Sequence, residues 1–205
     1  MKNKVPAMRP TASLGRSSML LLAFFIALSW SRTPALMHAQ EGLPSEYQLK
    51  AAFLFNFTKF VDWPPSAFSS DKAPIMLCIA GGNPFGNTLD ALISGKRIDN
   101  RNIATRRTKS VGDMGDCHVV FVDGSEDRHL PEIVDRLKGD ATLIVGESPD
   151  FAGRGGDIQF YMQEGRIRFA INVDAVQRSH LTVSAKLLAL ARIVHDDDHF
   201  AGGMR

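Results

Sequence analysis

The chain has 205 residues, with 24 Lys and Arg against 22 Asp and Glu, a formal charge of +2. Five of the basic residues (Lys2, Lys4, Arg9, Arg16, Arg32) and none of the acidic ones fall in the first 39 positions, which leaves 19 against 22, a net of −3, for the rest. The apparent basicity belongs to the leader, which excludes a nucleic-acid surface as the reading of the charge.

Residues 1–39 read as a signal peptide. The basic start is followed by the apolar run Met19 to Trp30, with Ala39 as a small residue before a cut at Gln40. Met37 is large for the minus-three position and the basic region is long, so an uncleaved inner-membrane anchor is the alternative. Residues 40–194 then suit a single domain with one good core.

Ser45 to Pro65, SEYQLKAAFLFNFTKFVDWPP, is a helix with Ser45 as N-cap and Pro64 and Pro65 as its stop. Its apolar residues cover nearly the whole circumference, so it needs burial on most sides. Phe53, Asn56, Phe57, Lys59 and Phe60 are the candidates for a surface shared with a partner or a second copy. IMLCIAGG (Ile75 to Gly82) is a buried strand, followed by a turn and a short helix. Ile103 to Ser110 is an edge strand, and Val111 to Asp116 is loop or one helical turn. His118 to Gly124 is a second buried strand, Asp127 to Lys138 an amphipathic helix, and Ala141 to Ser148 a third buried strand.

This alternation predicts an α/β fold: a three-layer open sheet, mainly parallel, with flanking helices. Asp157 to Asn172 breaks the rhythm as an antiparallel C-terminal hairpin about Glu164-Gly165. Arg166 and Arg168 alternate along its second strand and share one face, ready for an acidic partner or for solvent. Val173 to Ser179 is a short helix, and Val183 to Val194 a final helix with Leu187, Leu190, Ala191 and Val194 on its apolar side. Residues 195–205 are a mobile tail.

Several stretches together resemble the YfiR family of exported bacterial regulators: YQLKAAFLFNFTKFVDWP after a leader, LCIAGGNPFG, CHVVFV, and FAGRGGDIQFYMQEGRIRFAINVDAVQRSHLTVSAKLLALARIV. The resemblance spans Tyr47 to Val194. It implies a periplasmic α/β protein that forms a homodimer and holds an inner-membrane diguanylate cyclase inactive through that enzyme's periplasmic part. It also implies an outer-membrane lipoprotein able to sequester the regulator, which converts envelope or redox stress into cyclic di-GMP signalling. Relatives can carry a second cysteine pair after the last parallel strand, and GESPDFAGRGG here has none.

Cys78 lies inside the first buried strand and Cys117 at the start of another. If those strands are neighbours the pair can bridge, which stabilises by about 3 to 4 kcal/mol. Two buried thiols acting as small apolar groups are the other reading. Gly81, Gly82, Asn83, Pro84 and Phe85 end a strand and open a helix, where backbone amides can receive an anion. The segment lacks the lysine and spacing of a phosphate loop, so a turn that needs glycine competes with a small-solute crevice.

Asp123 ends a central strand as a phosphoacceptor does, but no acidic cluster follows the first strand. His118, His129 and His180 have no ligand spacing, and the HDDDH run sits in the tail. No nucleophile elbow, HExxH or catalytic cysteine signature is present, so no catalytic residue, metal or cofactor is expected. The readings in competition are a non-enzymatic periplasmic regulator and a small-solute-binding or sensory domain.

Overall fold

The computed structural model describes residues 44–196. Helix α1 (Glu46–Phe60) opens on a capping box: the Ser45 hydroxyl accepts from the Gln48 amide, and the Gln48 side chain accepts from the Ser45 amide. The helix ends before the prolines. Val61 is already extended, and β1 (Val61–Asp62) pairs antiparallel with β9 (Thr182–Val183).

The remaining elements in chain order are β2 (Ile75–Ala80), α2 (Thr88–Ile93), β3 (Arg97–Ile98), β4 (Arg101–Thr108), β5 (Val119–Val122), α3 (Leu130–Leu137) and β6 (Leu143–Gly146). Then come β7 (Ile158–Gln163), β8 (Arg166–Asn172), α4 (Val173–Arg178), α5 (Ala185–Leu188) and β10 (Arg192–Val194). The large sheet has the order β10-β8-β7-β6-β5-β2-β4-β3. It is parallel from β4 through β2, β5 and β6 to β7, and antiparallel at the β7–β8 hairpin. The short β3 covers only the first two residues of β4, so the strand expected at an edge is the last full-length one on that side.

Strands buried on both faces explain the apolar runs in the sequence. Leu77, Val119, Phe121, Leu143 and Val145 face α1 and α2, while Cys78, Val120, Val122 and Ile144 face α3 with its Leu130, Ile133 and Leu137. The result is three layers, as the alternation of elements predicts. After β6 the chain makes a loop whose Phe151 ring is wedged between Gly146 and Gly156. A Cβ on either glycine would come within about 2.2 Å of the ring.

The final helix expected over Val183 to Val194 is corrected. Only Ala185–Leu188 is helical, and Arg192–Val194 is β10, parallel to β8. The open edge of β8 offers backbone hydrogen bonds to the β-branched pair Ile193 and Val194, and Val194 is buried against Ala152 and Ala170. Leu190, assigned to the apolar side of that helix, is 72% exposed.

Candidate functional site

The sequence makes α1 a candidate partner surface, and the structure shows how the helix is held. At its first turn the Tyr47 hydroxyl donates to Glu147 Oε1 at 2.9 Å, and the Lys50 ammonium pairs with both Glu46 and Glu147. Lys50 is buried, and burial together with the Glu147 carboxylate pushes the Tyr47 hydroxyl well above its ordinary range. Glu147 directly follows β6, so this latch ties the start of α1 to the carboxyl end of the central sheet. Sequence reasoning missed it, because Glu147 lies 97 residues from Lys50; the available signal was a tyrosine and a lysine three apart in an apolar helix.

Along the helix, the Phe57 ring lies 5.7 Å from Phe160 and 5.2 Å from Phe169. Phe57 has no exposed surface, so it belongs to the core and not to the contact surface for which it was a candidate. Phe53 is half-buried over the same two rings, and Phe60 and Asn56 are half-buried. Lys59 is exposed, with its ammonium 4.3 Å above the Phe55 ring. Arg166 and Arg168 are exposed on the hairpin, separate from the Asn56 and Lys59 end of α1.

β2 is flanked by β4 on one side and β5 on the other, so the chain leaves it in opposite directions, and a crevice forms at its carboxyl end. This crevice, about 560 Å³, is lined by Gly81 and Gly82 with Thr108, Lys109, Ser125, Glu126 and His129. Asn83, Pro84 and Phe85 do not join them. The Asn83 amide donates to the Gly86 carbonyl, and Phe85 is buried edge-on against Tyr47 and Phe121.

Much of the polar lining is satisfied internally. The Gly82 amide donates to Ser125 Oγ, Ser125 Oγ donates to Asp123, and His129 meets Glu126 at 2.7 Å. Gly81 has φ +87°, and a Cβ there would lie 2.5 Å from Glu126 Cγ, so both conformation and close approach demand glycine. The glycines thus have a local structural reason without a ligand.

Cys78 and Cys117 are joined in a disulfide with Cα atoms 5.9 Å apart. Of the two readings of these cysteines, the bridge is the one the structure contains. Both residues are buried in the α3-side core, and exchange requires a thiolate to reach a sulfur, so the folded state shields the bond. The next residue, His118, is only 6% exposed and accepts the Met76 amide at Nδ1, with its ring stacked 4.4 Å from Phe68. Burial holds its pKa below the ordinary histidine value.

Asp157, at the entry to β7, is fully buried and accepts the Ile144 amide at 2.6 Å. Burial pushes its pKa up to about 7, against the opposing pull of that amide and of Arg178. The unfolded chain loses this proton near pH 4 and the folded one near 7, so stability is full below that window and falls as pH rises through it. Between pH 5 and 7 the loss is on the order of 2 kcal/mol. The expected result is that urea unfolding of Asp157→Asn lacks this fall; parallel wild-type and variant curves of stability against pH would show that Asp157 is ionised throughout.

No group of three or more His, Cys, Asp or Glu is placed to hold a metal ion among the described residues. His195 Nδ1 lies 3.1 Å from Asp174, and Asp196 pairs with Arg178; the rest of the HDDDH run falls outside the described residues. No helix among the described residues is long and apolar enough to cross a membrane, and the expected signal peptide lies outside them.

A capped aromatic helix latched to a mainly parallel sheet, a buried Cys78–Cys117 bridge and a terminal hairpin are the features carried by the motifs that resemble YfiR. A family profile described as YfiR/HmsC-like matches residues 47–192, and the chain belongs to that family.

Proposed function

We propose that this protein is a periplasmic, non-enzymatic repressor that holds an inner-membrane diguanylate cyclase inactive by contact with the enzyme's periplasmic part. The observation that carries the reading is the family match, which covers nearly all of the described fold. YfiR/HmsC-like proteins point to regulation of diguanylate cyclase signalling, and the leader at residues 1–39 supplies export. The internally paired lining of the β2 crevice supports action through a surface in preference to solute binding. On the second half of α1 the exposed Lys59 and the half-buried Asn56 form the contact we assign to the cyclase or to a second copy in a homodimer. An outer-membrane lipoprotein that takes the repressor away completes the circuit.

The test is cyclic di-GMP measured in cells. Deletion of the gene is expected to raise it, and the exported chain to restore it where a leaderless chain does not. Lys59→Glu is expected to lose repression with its unfolding curve unchanged. An unchanged nucleotide level on deletion, with the cyclase present in the membrane, would sink the reading.

A further inference from the structure

The β7–β8 hairpin outgrows its neighbours. β6 pairs only with Ile158 and Gln159, and β10 only with Ala170, Ile171 and Asn172, whereas β7 and β8 pair with each other out to Gln163 and Arg166. The Phe160–Phe169 rung rests on Phe53. Beyond it, three rungs project as a two-stranded ribbon with both edges unpaired by either neighbouring strand: Tyr161–Arg168, Met162–Ile167 and Gln163–Arg166.

Strand alternation sorts this ribbon into two unlike faces. Met162 and Ile167 continue the Phe160–Phe169 face toward α1, where Leu49 stands one turn before Phe53; Met162 shares a cleft with Glu46 and Lys50 of that first turn. Met162 is 44% exposed and Leu49 39%, two of only four large apolar residues so exposed among those described. The opposite face carries Arg166 and Arg168, both exposed and neither in an ion pair among the described residues, beside the half-buried Tyr161.

Charges on an exposed strand edge commonly guard against aggregation, but that role does not account for apolar side chains left in solvent beside them. Pairing of β8 with a second copy about Ile167 would set arginine against arginine, which is unfavourable. An apolar face backed by cations with long apolar stems, next to a tyrosine, matches the boundary of an anionic bilayer, where such stems let the charge reach phosphate.

We propose that the β7–β8 ribbon docks the protein on an anionic phospholipid surface, with Met162 and Leu49 at the acyl boundary and Arg166 and Arg168 on the phosphates. The proposal is independent of the cyclase reading, since lipid alone is its ligand.

The experiment is co-sedimentation of residues 40–205, which contain the whole described core, with phosphatidylethanolamine vesicles with or without phosphatidylglycerol. Binding is expected only with phosphatidylglycerol and is expected to weaken as salt is raised. Arg166→Gln with Arg168→Gln is expected to weaken it about 25-fold, at roughly fivefold for each cation near the surface. Met162→Ser with Leu49→Ser is expected to weaken it while leaving the salt dependence in place. All four changes lie on exposed side chains, and overlapping urea curves will verify the fold. Single Arg166→Gln and Arg168→Gln variants, each expected to lose about fivefold, serve if the double variant does not fold. No binding to either vesicle, equal binding to both, or arginine variants that bind as wild type would overturn the proposal; in the last case new self-association would assign the arginines to edge protection.

Discussion

Replacing Phe57 by alanine is expected to destabilise the protein by about 3 to 5 kcal/mol, read as a lower urea midpoint with little change in slope. The ring has no exposed surface and meets Phe53, Phe160 and Phe169, so truncation removes transfer energy and opens a cavity where α1 crosses the hairpin. α1 is pinned at its start by Glu147 and at its end by the β1–β9 pair, which limits how far it can collapse into the space. Phe57→Leu is expected to recover much of the loss. An alanine variant that unfolds with wild type yet no longer self-associates would place the ring in an interface instead.

Removing the disulfide by Cys78→Ala with Cys117→Ala is expected to cost about 4 kcal/mol, the loop entropy freed when residues 39 apart in sequence are untied. Alanine suits both positions because both are buried and no thiol is left to exchange, although it also removes the Cys117 Sγ that accepts from the Arg106 guanidinium at 3.2 Å. The wild-type bond is expected to resist dithiothreitol in the folded state and to yield once urea opens the core. A double variant with wild-type stability, or rapid reduction of the native protein, would show that the bridge is neither stabilising nor shielded.

The central strands were legible because burial on both faces writes itself as short runs, such as IMLCIA and LIVG, bounded by turn residues. The hairpin turn was legible as well: Glu164 and Gly165 both have positive φ, which a tight two-residue turn demands. What escaped depends on partners far away in the chain. Residues 192–194 continue a helical spacing of apolar side chains, and only the free edge of β8 makes them a strand. Lys50 reads as a break in an apolar face until Glu147 supplies its counter-charge. Phe57 and Lys59 sit two residues apart in one aromatic run, and composition could not tell core from solvent there.

The wedge of Phe151 between two glycines has a further consequence. At the loop where the family resemblance implies that relatives can place a second cysteine pair, this protein has a clasp made of shape alone, which has no oxidised or reduced form. Its two cysteines are joined to each other, so the thiol chemistry open to this fold is confined to one sulfur–sulfur bond, closed or reduced. The loop after β6 keeps its grip in either condition.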